Sequence, residues 1–218
     1  MNSIRRTTTL LRNEYHGEGL DLDDFSNDPV DQFGRWMEDA LSRKVREPNA
    51  VHLATADASG RPSGRIVLLR DFSQRGFTFF TSYGSRKADE LQQNSHAAMT
   101  FFWNELYRQV RIGGRVSKLP AEESDAYFRS RPRESQISAV ASQQSRFLES
   151  RELLERTAAD LEQQYRDKPV PRPENWGGYC LEPEYIEFWQ GRERRLHDRI
   201  VYSRSGDNQG WAVRLLYP

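Results

Sequence analysis

The chain of 218 residues has one cysteine, no net charge and no long apolar run. Because Cys180 has no second cysteine to pair with, no intrachain disulfide can form, and the composition favours a reducing compartment. Lys plus Arg and Asp plus Glu both number 32, so no overall basic field exists to attract nucleic acid or an anionic membrane. No apolar segment approaches the ~20 residues that span a bilayer, and residues 1–9 lack the apolar core of a signal peptide. We therefore expect a soluble, cytoplasmic protein that binds neither nucleic acid nor membranes.

Five β-rich segments occupy the region between residues 51 and 119. They are residues 51–56, 63–72, 77–81, 97–103 and 109–119. Turn signals at 57–60 and 74–76 separate the first three, and a short helix is expected at 87–93. Short strands at regular spacing with hairpin-like turns predict a closed or nearly closed antiparallel barrel.

Helical patterns lie before and after these strands. Asn27-Asp28-Pro29 is typical of a helix start, and apolar residues follow at helical spacing until Pro48 ends the segment. Further helices are predicted at 120–131, 134–142 and 145–166, and further strands at 179–189, 195–203 and 211–216. We expect residues 1–26 to form a flexible arm, with at most a short helix around 10–15. Residues 27–218 are expected to form a single domain.

The C-terminal segment 186–199 concentrates unusual residue types. It places Trp189 shortly before Arg195, His197 and Arg199. If this segment is a strand, these last three side chains project from one face, because successive residues alternate sides. Two fixed cations and a titratable imidazole suit an anionic or electron-rich ligand. The alternative is a solvated basic strand, which would leave the large flat Trp189 without a purpose.

Two further stretches combine cations with small or apolar residues. In the first, Arg65 and Arg70 bracket an apolar run, which a buried strand with charged ends would also explain. In the second, residues 80–87, a strand ends in Gly and Ser before Arg86 and Lys87 enter a helix. Small residues, hydroxyls, cations and a helix N-terminus together favour a phosphate group. The alternative for the second stretch is an ordinary solvated loop.

A fourth stretch, residues 127–137, has the composition of a phosphate clamp. Tyr127 and Arg131 are four residues apart, which places them on one face if the helix reaches Arg131, and Ser135 follows. A phenol, a guanidinium and a hydroxyl can converge on one phosphate. An exposed helix end with an arginine near its negative dipole is the alternative.

The segment 186–199 resembles the signature of the pyridoxamine 5'-phosphate oxidase family, flavoproteins that make pyridoxal 5'-phosphate. The shared pattern is an apolar residue, Glu, an aromatic residue, Trp, a short spacer and Arg-Leu-His-Asp-Arg. The other three stretches resemble segments of the same family in the same order, and the resemblance runs from about residue 10 to the C-terminus. It implies a mainly β protein with α, an antiparallel FMN-binding split β-barrel with flanking helices.

The activity implied is oxidation of pyridoxamine 5'-phosphate and pyridoxine 5'-phosphate by dioxygen. The products would be pyridoxal 5'-phosphate and hydrogen peroxide, with ammonia from the amine, in vitamin B6 biosynthesis and salvage. The resemblance assigns FMN to residues Arg65, Ile66, Val67, Leu68, Arg70, Phe80, Thr81, Arg86, Lys87, Gln109, Gln144, Ser145, Trp189 and Arg199. The last five would come from the second subunit of a homodimer, with FMN at the interface.

The resemblance also assigns the substrate site. Contacts with substrate would come from Arg12, Tyr15, Arg70, Tyr127, Arg131, Ser135, Arg195 and His197. Arg195 and His197 would be catalytic, and Arg12 and Tyr15 would lie on an arm that folds over the site. At Arg70 the family usually has Lys, so we expect phosphate binding with altered geometry. Neighbouring arginines are expected to lower the pKa of His197.

Two other kinds of protein remain open. One is a phenazine-type flavin oxidase, and the other is a split-barrel module that binds flavin or haem without catalysis. The stretch 127–137 disfavours both, because the phenazine-pathway oxidases lack it and a binding module needs no second phosphate site. No cluster of His, Cys, Asp and Glu indicates a metal, and no nucleophile–base triad is present.

Overall fold

The computed structural model describes residues 14–204 and 210–218. Its helices are α1 (Pro29–Ser42), α2 (Arg86–Gln93), α3 (Ala121–Ser130), α4 (Arg133–Ala141) and α5 (Arg151–Gln164). Its strands are β1 (Ala50–Ala56), β2 (Pro62–Leu68), β3 (Asp71–Ser73), β4 (Gly76–Ser82), β5 (His96–Trp103), β6 (Arg108–Lys118), β7 (Trp176–Gln190), β8 (Asp198–Arg204) and β9 (Trp211–Leu215). The main path of the sheet runs β2-β1-β5-β6-β7-β4-β3, with β8 paired to β7 and β9 to β8.

Helix α1 begins where the capping signal predicts. The Asp28 side chain accepts hydrogen bonds from the backbone N–H groups of Val30 and Asp31, and Pro29 occupies the first turn. One face of the helix, including Phe33 and Trp36, is buried. The cap and the apolar stripe together therefore confirm this prediction.

The chain divides into two compact units. The first unit comprises Met1–Pro48, Thr100–Ile112 and Tyr185–Pro218, and the second comprises Asn49–Met99 and Gly113–Glu184. In the first unit, the part of β7 from Tyr185 onward forms an antiparallel meander with β8 and β9, in which Ile200 pairs with both Phe188 and Leu215. Its aromatic core includes Phe33, which lies 5.1 Å from Phe101 between ring centroids.

The second unit contains the β1–β2 and β3–β4 hairpins and helices α2 to α5. Strand β1 pairs antiparallel with β2, and β4 pairs antiparallel with β7, so that Phe80 lies opposite Gly178. A small apolar core forms under α3 and α4 from Phe128, Ile137, Val170 and Trp176. This core matters for the site, because α3 and the start of β7 both reach it.

Several boundaries differ from the sequence-based predictions. Helix α1 ends at Ser42 rather than continuing to Pro48, and the segment 63–72 forms two strands, β2 and β3. The helix predicted at 145–166 begins only at Arg151, where the Ser150 side chain caps it, and Phe147 before it is fully exposed. The strand predicted at 195–203 begins at Asp198, because residues 193–195 form a 3-10 turn. The short helix expected around 10–15 falls largely outside the described residues, and residues 14–18 are not helical.

The division into an arm and one domain stays a prediction. In the described part of the chain, no helix is long and apolar enough to span a membrane.

Candidate active site

A cavity of about 570 Å³ lies in the second unit and collects most of the residues predicted to bind FMN and phosphate. This volume is within the range of ligand pockets. Its lining comprises Ser63, Gly64, Arg65, Ile66, Val67, Leu68, Arg70, Phe80, Thr81, Arg86, Lys87, Tyr127, Arg131, Gln144, Ser145 and Trp176. Strands β2 and β4, the start of α2 and the end of α3 therefore meet at one cavity, although they are far apart in sequence.

Strand β2 presents apolar surface to this cavity rather than to a core. Ile66 is 64% exposed, and Val67 and Leu68 are partly exposed. A buried strand with charged ends, the alternative for this stretch, would hide these residues. An exposed apolar edge beside cations suits a ligand that has both a flat ring and a charged group.

Beneath the cavity, one buried carboxylate organises two arginines. Glu90, on α2, is 4% exposed; its Oε2 lies 3.1 Å from Arg65 Nη2 and its Oε1 lies 2.8 Å from Arg86 Nε. Burial alone would raise the pKa of Glu90, but hydrogen bonds from Ser63, Thr55 and the two arginines lower it to about 2. Glu90 therefore stays ionised and holds both guanidinium groups in place.

Lys87 is a buried cation at the same end of the cavity. Its Nζ donates to Thr81 Oγ1 at 2.9 Å, Ser85 Oγ at 3.2 Å and Gln144 Oε1 at 2.8 Å. These partners are neutral, and burial together with the nearby Arg65 lowers the pKa of Lys87 to about 8. A buried ammonium among neutral acceptors is poised for an anionic ligand.

A second cationic group lies at the end of α3. Arg131 follows the helix as its C-terminal cap, so it is not on the helical face with Tyr127, yet both side chains line the cavity. Arg131 Nη1 is buried without a hydrogen-bond partner, the single such side-chain atom among residues 14–204 and 210–218. Burial and the nearby Arg70 lower the pKa of Arg131. An unpartnered buried guanidinium nitrogen fits an anion as its partner.

The C-terminal segment forms an aromatic group in the first unit. The Trp189 and His197 rings lie 4.7 Å apart between centroids, and Tyr15 packs edge-on against both, at 5.6 Å and 5.5 Å. His197 Nδ1 accepts a hydrogen bond from the Arg192 backbone N–H at 3.0 Å, so a neutral imidazole carries its hydrogen on Nε2. Burial lowers the pKa of His197 and Arg195 lowers it further, whereas Arg199 does not contribute. The predicted direction is confirmed, but burial is its main cause.

The backbone explains why Arg195, His197 and Arg199 do not share a strand face. Arg194 and Arg195 have φ values of 55° and 63°, in the left-handed region of backbone conformation that residues other than glycine rarely adopt. They form a 3-10 turn, and only Arg199 lies on β8. The prediction of one strand face is therefore wrong. Two adjacent strained arginines in an exposed turn are typical of functional segments.

Arg199 is held by a carboxylate. Its Nε lies 2.9 Å from Glu187 Oε1 and its Nη2 lies 3.1 Å from Glu187 Oε2, while Arg111 also approaches Glu187 Oε2 at 3.3 Å. Glu187 is 1% exposed, and although burial opposes ionisation, these contacts lower its pKa. Arg199 therefore has a fixed position on β8.

The remaining predicted residues are distributed as follows. The residues that line the cavity do not include Gln109, Ser135, Trp189, Arg195, His197 or Arg199. Arg12 lies outside the described residues. Gln144 bonds Lys87 within the same chain, so no partner subunit is needed to bring it there. The order of motifs along the chain could not show this.

Sequence reasoning missed several residues that shape the cavity, among them Ser63 and Gly64 in its lining. Glu90 is four residues after Arg86 on α2, a spacing that could have indicated the ion pair. Trp176 lines the cavity beside Arg131, and Gln136 Nε2 donates to the Arg131 backbone carbonyl at 3.0 Å. Neither Trp176 nor Gln136 carries a local signal. In the described part of the chain, no group of His, Cys, Asp and Glu could hold a metal ion.

Solved structures share this fold. PhzG from Burkholderia lata, solved in complex with tetrahydrophenazine-1-carboxylic acid, has a TM-score of 0.87 and 35% identity, covering 93% of this chain and 99% of that chain. A pyridoxamine 5'-phosphate oxidase-related, FMN binding protein from Nostoc punctiforme has a TM-score of 0.68 at 19% identity, covering 85% and 96%. The chain therefore has the split β-barrel fold of the FMN-binding class, as predicted.

Relatives in sequence narrow the class. A family model described as pyridoxamine 5'-phosphate oxidase matches residues 37–165, and one described as the pyridoxine 5'-phosphate oxidase C-terminal dimerisation region matches residues 176–218. Two proteins named pyridoxine/pyridoxamine 5'-phosphate oxidase are similar throughout. That of Rubrobacter xylanophilus is 54% identical over 214 residues, covering 98% of each chain, and that of Paraburkholderia phymatum is 53% identical over 208 residues, covering 95% and 97%. The chain belongs to the pyridoxamine 5'-phosphate oxidase family of oxidoreductases.

Proposed function

We propose that the protein catalyses the FMN-dependent oxidation of pyridoxamine 5'-phosphate and pyridoxine 5'-phosphate to pyridoxal 5'-phosphate. Dioxygen is the electron acceptor and becomes hydrogen peroxide; the amine substrate also consumes water and releases ammonia. The reaction serves vitamin B6 biosynthesis and salvage, and we assign it to the cytoplasm. The observation that carries the proposal is that one cavity contains two cationic groups, around Lys87 and around Arg131, which share no hydrogen bond.

The group around Lys87 fits the phosphate of FMN. Arg65, Arg86 and Lys87 face the single carboxylate of Glu90, so the group keeps a net positive charge. Arg86 and Lys87 would hold the phosphate at the start of α2, and the apolar edge of β2 would contact the ring. When bound, FMN would take two electrons from the substrate and pass them to dioxygen, chemistry that no side chain supplies.

The group around Arg131 fits the phosphate of the substrate. Arg131 supplies an unpartnered nitrogen, Tyr127 a phenol, and Arg70 a second cation whose Cζ lies 6.0 Å from the Tyr127 ring centroid. A phosphate dianion would neutralise both arginines and accept their hydrogen bonds. We retain Ser135, on α4, as a contact made when the substrate is bound.

Arg195 and His197 would act at the reacting carbon. A neutral His197 with its hydrogen on Nε2 can donate a hydrogen bond there, and the lowered pKa keeps that form at neutral pH. Arg195 would orient the substrate and stabilise developing charge. Tyr15 already contacts His197, which supports a role for this segment in covering the substrate.

A homodimer would complete the site. Gln109, Trp189, Arg195, His197 and Arg199 belong to the first unit and do not line the cavity. We infer that a partner subunit supplies them, and the family description of residues 176–218 as a dimerisation region supports this arrangement.

A phenazine-type oxidase is the second candidate, because PhzG has a similar fold and was solved with a phenazine compound. The cationic group around Arg131 favours the phosphorylated substrate, since the phenazine compound in that structure carries a carboxylic acid and no phosphate. The two candidates therefore differ in what Arg131 and Arg70 would bind.

The deciding experiment is anaerobic reduction of the purified, flavin-loaded protein. Absorbance in the visible region should bleach on addition of pyridoxamine 5'-phosphate and return with dioxygen, with pyridoxal 5'-phosphate as product. Unphosphorylated pyridoxamine is the control and should bleach the flavin much more slowly. Bleaching by tetrahydrophenazine-1-carboxylic acid but not by pyridoxamine 5'-phosphate would overturn the proposal in favour of the second candidate.

A further inference from the structure

We propose that Trp176 is a positioning residue, which holds the Arg131 guanidinium ready for a phosphate while leaving its positive charge intact. The identity of that phosphate as the substrate's rests on the proposed function. The inference about Trp176 itself rests on the geometry of the two side chains.

The Arg131 guanidinium lies over the indole face. Its Cζ is 4.7 Å from the Trp176 ring centroid and 5.7 Å from that of Phe128, and both rings are buried. No carboxylate among residues 14–204 and 210–218 forms an ion pair with Arg131, and its Nη1 has no partner. Aromatic contact is therefore what fixes this guanidinium on the protein side.

An aromatic support and a carboxylate support have different consequences for a ligand. A carboxylate would occupy N–H groups and offset the charge, as Glu90 does in part for Arg65 and Arg86. An aromatic face attracts the cation through its quadrupole but leaves the N–H groups at the guanidinium edge free. Trp176 thus permits Arg131 to be both ordered and fully charged.

The indole is itself held in place. Trp176 begins β7 opposite Ser82, and its ring is nearly parallel to Phe80, at 5.6 Å and 16°, and to Tyr127, at 6.2 Å and 4°. The backbone of Arg131 is held separately, because Gln136 Nε2 donates a hydrogen bond to its carbonyl oxygen. The stack connects both Tyr127 and Arg131 to a single support.

The test measures binding of pyridoxal 5'-phosphate to flavin-loaded protein by equilibrium dialysis, which needs no turnover. Trp176→Leu should weaken binding about tenfold, and Trp176→Phe, which keeps a smaller aromatic face, about threefold. Flavin content should be unchanged in both. In an Arg131→Ala background, the same Trp176 substitutions should cost much less, because only the contact with Tyr127 then remains to be lost.

A matched control is Lys118→Met, which removes another cation–aromatic contact, 4.3 Å from Lys118 Nζ to the Tyr83 ring centroid, without touching the cavity lining. It should leave the affinity unchanged. Unaltered binding in Trp176→Phe and Trp176→Leu, or equal losses with and without Arg131, would overturn the inference. If Trp176→Leu does not fold, the Trp176→Phe cycle decides alone. A protein that follows the predicted binding pattern but does not oxidise pyridoxamine 5'-phosphate would refute the proposed function and keep the inference.

Discussion

Arg131→Ala should separate substrate binding from stability. Arg131 Nη1 is buried and has no partner among the described residues, so a phosphate gains charge-assisted hydrogen bonds without breaking existing ones. Such bonds contribute about 1.5–3 kcal/mol each, and an arginine can form two with one phosphate. Arg70 remains to offset part of the loss. We therefore expect a loss of about 3 kcal/mol of transition-state stabilisation, which lowers kcat/KM for pyridoxamine 5'-phosphate roughly a hundredfold.

The same substitution should cost little stability. It removes the aromatic contacts of Arg131, but it also removes a partly buried cation whose pKa is lowered by burial and by Arg70. The two effects oppose each other, so the melting temperature should be unchanged or higher. This trade-off is typical of a residue retained for a ligand.

Steady-state kinetics with phosphorylated and unphosphorylated substrate, and thermal unfolding, measure these effects. Arg129→Ala is the matched control, because Arg129 is an exposed arginine on the same helix that does not line the cavity. Equal losses on both substrates, or a large drop in melting temperature for Arg131→Ala, would refute the reasoning and make Arg131 a structural residue.

Three other changes test the rest of the site. The affinity of the apoprotein for FMN should fall above pH 8, because Lys87, with a pKa of about 8, then loses its charge. Lys87→Arg should abolish this pH dependence. A wild-type affinity that is flat to about pH 9.5 would contradict the assignment. The pKa of Glu90 is about 2, against an ordinary value of 4.5, so its ionised form should contribute roughly 3 kcal/mol to the free energy of unfolding above pH 4.5. This contribution should disappear as the pH falls towards 2. In urea unfolding, Glu90→Gln should lack this dependence of the unfolding free energy on pH. Arg195→Leu should lower turnover at normal flavin content, by an amount that corresponds to a loss of about 2–4 kcal/mol of transition-state stabilisation. A variant that loses flavin but keeps its activity per bound flavin would argue against a catalytic role.

Local chemistry in the sequence was sufficient for most of the fold. Asp28 and Pro29 determine where α1 begins, and the alternation and turn residues between 51 and 119 indicate the strands that the structure contains. These signals are reliable because capping, turn geometry and apolar periodicity act over only a few residues. The family motifs then identified the class of protein.

Prediction failed where long-range contacts override local preference. Residues 195–197 have strand-like composition, yet Arg194 and Arg195 adopt left-handed backbone angles and the strand starts at Asp198. Residues 145–150 have helical composition, but α5 begins only where Ser150 caps it. Strand pairing and packing decide such boundaries, and neither can be read within a short window.

The sequence by itself determined which residue types are available for a phosphate-binding flavoprotein and the order in which they occur. Only the tertiary structure decided which of them meet. It brought Arg65, Lys87 and Arg131 to one cavity and placed Glu90 beneath two arginines. It also set Trp176 against a guanidinium that has no carboxylate partner in the described part of the chain. The physical reason is that charge balance and burial depend on neighbours distant in sequence, so whether a cation is neutralised or available to a ligand is a property of the folded chain.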